Sequence, residues 1–242
     1  MSEGLPSSGS GRASRPAPAE GAAFFDVDNT LIRGSSLYQL GVGLHARGVV
    51  STKDFVRLGR RHIGYALGRM EKQRNIAAVQ AAMGAVGRGL HAETLHAEVE
   101  VIVRDRILPR VRPVVLAAAR RHQHLNQRVW LVTASPQPLA DILARQLRLD
   151  GAMGSKVVVA EGYYTGEQDG PLLHGPQKAE AVRKLAASVG IDLAASSAYS
   201  DSVNDLPLLL AVGNPNPVCP DRKLRKYASA QGWPVFSDVR WR

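Results

Sequence analysis

A single cysteine, Cys219, stands in a chain of 242 residues. No internal disulfide can form, and the chain suits a reducing compartment. Aromatic residues are only 5% of the sequence, so a core must come from alanine, valine and leucine; with 45% hydrophobic content there is enough of them. No run of about 18 apolar residues occurs, so we expect no transmembrane segment. The N-terminus has no continuous apolar stretch of the secretory kind. These absences make cytoplasmic the expected location. Acidic residues are outnumbered, 21 against 31 basic ones, for a net charge of +10 and a sequence pI near 10.2. Yet neither a zinc finger nor a basic motif interleaved with aromatics is present, so we expect no specific nucleic-acid partner. The excess charge reads as an arginine-rich solvated surface. The run Arg222-Lys223-Leu224-Arg225-Lys226 could make weak contact with an anionic surface.

Residues 1–20 are dominated by Ser, Gly, Pro and Ala and are expected to form a disordered tail. Ala22-Ala23-Phe24-Phe25 is a continuous apolar run ending in acid, the pattern of a parallel strand covered on both faces. Residues 35–107 then read as helical, through Leu58, Ile63, Ala66 and Leu67, through Ala77 to Val86, and through His91 to Ile107. From residue 108 onward strand and helix alternate. Helix is expected at 112–124, 138–147, 176–189 and 206–212. Strand is expected at 129–133, 156–160, 197–200 and 216–218, with 162–166 as a hairpin partner. This predicts an α/β fold, a three-layer Rossmann-like parallel sheet with a helical cap inserted after the first strand. The divisions are a core of 21–34 and 108–235, a cap of 35–107, and a basic end of 236–242.

Four polar clusters lie at the ends of apolar runs. In Asp26-Val27-Asp28-Asn29-Thr30, the carboxylates at i and i+2 point the same way from a strand end. One carboxylate can attack phosphorus while a second protonates the leaving oxygen. Two acids in a turn capped by Asn29 and Thr30 would be the purely structural alternative. Thr133-Ala134-Ser135 ends the next core strand, where a hydroxyl of Thr133 or Ser135 and the turn's backbone N–H groups can hold phosphate oxygens. Lys178, near the start of a helix, can neutralise phosphate and carboxylate. Asp201 and Asp205 follow a short strand. Mg2+ takes few protein oxygens and several waters, and Asp26, the backbone carbonyl of Asp28 and Asp201 fit that count. Asp205 completes the acidic set by orienting Lys178 or a metal-bound water. Asn204 can hydrogen-bond phosphate or substrate.

In this order the clusters resemble the haloacid-dehalogenase-like superfamily of Mg2+-dependent phosphohydrolases, in subfamily IB, the branch that includes phosphoserine phosphatase. The resemblance covers roughly residues 21–235. It implies Asp26 as nucleophile, Asp28 as acid/base, Thr133 and Lys178 as phosphate ligands, and Asp201 and Asp205 as the last acidic motif. Dehalogenase members lack an acid at the Asp28 position, so its presence favours phosphoryl transfer. Phosphoserine-specific relatives carry a glutamate nine residues after the nucleophile; here that position is Ser35, with Arg69 or Arg74 as candidates for meeting a substrate carboxylate. The implied activity is therefore hydrolysis of a small phosphorylated metabolite. The alternatives are phosphoserine phosphatase proper, a phosphotransferase, and a non-catalytic phosphate-binding regulator. Of the remaining polar residues, His122 and His124 read as surface side chains, and Cys219 as a buried structural thiol.

Overall fold

The computed structural model describes residues 21–51, 84 and 87–237. The expected tail, the helical positions Leu58, Ile63, Ala66 and Leu67, and Arg69 and Arg74 lie outside them.

Strand β1 (Ala22–Phe25) is fully buried. Helix α1 (Ser36–Ala46) follows, then α2 (Ala92–Ile102), which runs on as a π-helical turn (Val103–Ile107) and a 3-10 turn (Leu108–Arg110). Alternation then sets in: α3 (Pro113–His124), β2 (Arg128–Pro136), α4 (Gln137–Gln146) and β3 (Gly151–Ser155). A separate antiparallel hairpin pairs β4 (Val157–Ala160) with β5 (Tyr163–Gln168). The chain closes with α5 (Pro176–Val189), β6 (Ser197–Ser200), α6 (Leu206–Leu209), β7 (Asn214–Pro217) and α7 (Arg222–Ala230).

The main sheet has the order β3-β2-β1-β6-β7, and every pairing is parallel. Side chains alternate across it. Ala23, Phe25, Leu131 and Tyr199 face one apolar cluster with α2, α3 and α4. Ala22, Phe24, Val132 and Ala198 face another with α5, α6 and α7. This is the expected three-layer fold. Helices α1 and α2 share a small core of Leu44, Val50 and Ile102. Their close approach needs Gly43, where a Cβ would sit 2.7 Å from Ile102.

The hairpin expected of 156–160 and 162–166 forms as β4 and β5, while the edge strand of the sheet, the preceding Gly151–Ser155, was not expected. Gly151 is required there because a Cβ would strike the Trp130 ring. His122 is not a surface residue: it is half-buried, its Nε2 lies 2.9 Å from the Tyr199 hydroxyl, and it packs edge-on against Phe25. His124 is exposed, as expected, and Cys219 is only half-buried. Among the described residues no helix is long and apolar enough to cross a membrane.

Candidate active site

Parallel pairing sets the register Phe25 with Leu131 on one side and with Tyr199 on the other. The carboxyl ends of β1, β2 and β6 therefore stop at one level. Because strands to either side of β1 are reached by connections running in opposite directions, a crevice opens there. Asp26, Thr133 and Asp201 emerge into it. The support beneath is stiff: the Phe25 and Tyr199 rings stack at 4.1 Å, and Asp26 N donates to Tyr199 O at 2.9 Å.

Lys178, in the first turn of α5, is almost fully buried. Its Nζ donates to Asp26 Oδ1 at 2.5 Å and to Asp205 Oδ2 at 2.7 Å. Ser200 Oγ donates to the same Asp205 oxygen at 2.8 Å. The turn into α5 comes close to the acidic loop: Gly175 has φ of +57, and a Cβ there would lie 3.3 Å from the Asn204 carbonyl. Asp205 therefore orients Lys178, one of the two roles expected of it.

Thr30 lies between two carboxylates. Its Oγ1 is 2.8 Å from Asp26 Oδ2 and 3.1 Å from Asp201 Oδ1, and it accepts from Asp201 N at 2.9 Å. A hydroxyl has one proton and can serve one carboxylate at a time. Burial pushes Asp26 up to about 6, against the pull of Lys178. Burial and the neighbouring Asp26 charge push Asp201 up to about 7. Burial also works against the Lys178 ammonium, but Asp205 and Asp26 outweigh it and hold the group above the usual lysine range.

Asp28 sits on the other side of the turn. Ser36 N and Ser36 Oγ both donate to its Oδ1, at 2.8 and 2.5 Å, and Ser36 Oγ lies 2.8 Å from Ser135 Oγ. Burial raises the Asp28 carboxyl, and these donors pull it partly back. Thr133 Oγ1 accepts from Ser135 N at 3.1 Å, and Ser155 Oγ holds the Ala134 carbonyl at 2.8 Å, fixing the turn. The Asn204 N donates to Ser202 Oγ at 3.3 Å in the 3-10 turn Val203–Asp205.

Hydrogen bonds thus join Asp26, Lys178, Asp205 and, through Thr30, Asp201, and separately join Asp28 through Ser36 to Ser135 and Thr133; Asn204 sits in the facing loop. Sequence reasoning took Thr30 only for a cap and missed Ser36, Ser200 and Asp221. Asp221 caps α7 by accepting from Lys223 N and Leu224 N. It also accepts from Val203 N and donates its own N to Asp201 O, each within 2.9 Å, so it fastens the acidic loop. An aspartate directly before a helix was the available signal.

Of the carboxylates of Asp26, Asp28, Asp201 and Asp205, two are paired with the Lys178 ammonium. Among the described residues no three His, Cys, Asp or Glu side chains form a ready-made metal cage. The donor set is nevertheless all oxygen, and the charge left over between Asp26 and Asp201 suits a hard divalent cation that keeps most of its waters.

The model of the haloacid dehalogenase-like hydrolase family matches residues 23–210. Phosphoserine phosphatase SerB1 of Mycobacterium tuberculosis (strain ATCC 25618 / H37Rv) is 37% identical over 220 residues, 91% of this chain and 71% of that protein. The inhibition of morphological differentiation protein of Streptomyces azureus is 32% identical over 216 residues, 89% and 77% of the two chains. A solved protein of unknown function from Bordetella pertussis Tohama I superposes with a TM-score of 0.77 at 28% identity, covering 91% of this chain and all of that one.

Proposed function

The chain belongs to the haloacid dehalogenase-like hydrolases, and we propose that it is a phosphomonoesterase that forms an aspartyl-phosphate on Asp26. One observation carries this: Asp26 is clamped by Lys178 while a second carboxyl, Asp28, is held separately by Ser36. A nucleophile and an acid in different electrostatic settings are what two-step phosphoryl transfer requires.

In the first step an Asp26 oxygen bonds to phosphorus as the phosphorus–alcohol bond breaks, and Asp28 gives its proton to the leaving oxygen. In the second step water attacks phosphorus, its proton passes to Asp28, and the Asp26–phosphorus bond breaks to release phosphate. Thr133, Ser135 and the N–H groups of the turn through Ala134 hold phosphate oxygens, Asn204 contributes from the facing loop, and Lys178 offsets their charge. Mg2+, held by Asp26, the Asp28 carbonyl and Asp201, would supply further charge stabilisation. Asp205 acts through Lys178. Residues 35–107 would cap the crevice.

The name of the M. tuberculosis relative favours L-phosphoserine as a second reading of the substrate. Ser35 is here the cap of α1, its Oγ accepting from Tyr38 N, so it brings no acid to an ammonium group.

The test is Mg2+-dependent phosphate release from a panel of phosphomonoesters including L-phosphoserine, with Asp26→Asn alongside. We expect turnover by the parent and a loss of at least about 10^4-fold in the variant. Turnover that survives in Asp26→Asn would overturn the mechanism.

A further inference from the structure

Beyond Ser36 and Ser135 a second space opens. Helix α1 supplies Leu37 and Leu40 to its wall, α2 supplies Leu95 and Val99, and α4 supplies Leu139. The hairpin closes another side through Val157 and Tyr164. The cleft has a cavity volume of about 100 Å3, room for several waters or a short apolar chain. The only charged or titratable side chains among its described lining apart from Tyr164 are His96 and Glu167. His96 faces Glu100 at 3.4 Å, and Glu167 is exposed.

Chain connectivity sets the cleft beside the crevice. Ser36 and Ser135 touch each other, and Ser36 holds Asp28. The next residue after each, Leu37 and Pro136, lines the cleft. The residue that hydrogen-bonds the carboxyl assigned to protonate the leaving oxygen therefore stands one position before a residue of the apolar wall.

We infer that this cleft receives the alcohol portion of the substrate, and that the substrate is a phosphomonoester of an apolar, chain-bearing alcohol. This rests on the phosphatase reading above. Among the described lining, an amino acid or sugar would set its ammonium, carboxylate or hydroxyl groups mostly against carbon, with His96, Tyr164, Glu167 and Gln168 as the polar exceptions. A hydrocarbon chain loses water favourably there, and the phosphate at its end still reaches Lys178 and Thr133.

Gly87 provides a selective probe. It lines the cleft, and among the described residues a Cβ built on it meets the Tyr164 Cβ, at 4.0 Å. A leucine there adds apolar bulk beside Tyr164 at a position that is no part of the phosphoryl machinery.

The experiment uses the full chain with Mg2+ and unbranched alkyl phosphates from ethyl to decyl, each below its micelle concentration, beside L-phosphoserine and glycerol phosphate. The expected kcat/KM climbs about threefold to fourfold per methylene until the cleft is full, and exceeds that for the polar esters. Gly87→Leu should leave ethyl phosphate turnover at the parent's level and cut the advantage of the long esters about tenfold or more. A flat or falling series, or a preference for a polar ester, would overturn the inference while leaving the phosphatase reading intact. So would a Gly87→Leu variant that slows all chain lengths alike. Absence of phosphate release from every ester would count against the phosphatase reading instead. Calorimetry of the parent with octylphosphonate and methylphosphonate then decides the cleft: tighter octyl binding supports it, and equal affinities reject it. The same measurement stands if Gly87→Leu does not fold.

Discussion

In the crevice at the strand ends, two of four carboxylates, Asp26 and Asp205, share the Lys178 ammonium, and the hydroxyls of Thr30, Ser36 and Ser200 bond to the set. In the cleft beyond Ser36 and Ser135, almost the whole lining is carbon. The first region is carried on the ends of parallel strands with a stacked Phe25–Tyr199 pair beneath it. The second is assembled from two helices, a hairpin and the start of α4. In the proposed reading, chemistry sits on the strand ends and the choice of substrate on the part assembled from helices and hairpin. Such a division lets one reaction serve different substrates by change of the second region alone.

The sharpest way to break the crevice is Lys178→Met. It leaves Asp26 and Asp205 buried without their shared cation, which we expect to cost about 3–5 kcal/mol. Thermal melting should fall by about 10 °C and turnover should be lost. A variant as stable as the parent would mean that the buried ion network is not what organises the site. Because the cleft is built from other elements, the same variant should not abolish octylphosphonate's advantage over methylphosphonate in binding, provided the protein is assayed below its melting temperature.

Ser36→Ala tests the boundary between the two regions. The backbone N of Ser36 still donates to Asp28, so the fold should hold and kcat/KM should fall about tenfold. Loss of the hydroxyl donor raises the Asp28 carboxyl further. Since Asp28 must be protonated to assist the first step, the alkaline limb of the pH–rate profile should move to higher pH. An unmoved limb would remove Asp28 from the acid role.

The sequence made the crevice legible and the cleft hardly at all, for physical reasons. Asp26, Asp28, Lys178 and Asp201 stand at the ends of apolar runs, and short-range patterns place them on strand tips and a helix start. Helix α5 and strand β6 match their expected bounds of 176–189 and 197–200 for the same reason. Strand β3 was hidden because Gly151-Ala152-Met153-Gly154-Ser155 has no β-branched residue; its place is set by Trp130, which needs a glycine opposite. Helix α7 was obscured by its charge, since only Leu224 and Ala228 are buried. His122 was misplaced because its partner, the Tyr199 hydroxyl, is 77 positions away in the chain. Thr30 and Ser36 resemble ordinary caps until the fold brings Asp201 and Ser135 to them. The cleft depends on contacts among α1, α2, the hairpin and α4, which no local pattern encodes.

A milder change, Asp221→Ala, removes the cap of α7 and the fastener of the acidic loop together. Stability should drop by about 1 kcal/mol, and the Mg2+ concentration giving half-maximal turnover should rise severalfold, since Val203, two residues after Asp201, loses the carboxylate that holds its N–H. An unchanged Mg2+ requirement would show that the loop is held by other means.

A further expected effect is on pH-dependent stability. Asp26 and Asp201 have native carboxyls raised above the ordinary 3.8, to about 6 and about 7. The native state then binds more protons than the unfolded chain across that interval, so its stability falls as pH rises from 3.8 to about 7. A cation between the two carboxylates would lower both, so excess Mg2+ should flatten the fall. Melting curves taken across this interval with and without Mg2+ check it, and identical slopes would argue against Asp26 and Asp201 as the cation's ligands.

The claim at the centre is a phosphoryl group bound covalently to Asp26. Quenching the enzyme during turnover, reducing with borohydride and sequencing the peptides by mass spectrometry reads it directly, because a reduced aspartyl-phosphate becomes homoserine. We predict homoserine at position 26 alone, dependent on both substrate and Mg2+. Unmodified aspartate at position 26 in an enzyme that is turning over, or conversion at Asp28 or Asp201 instead, would contradict the account.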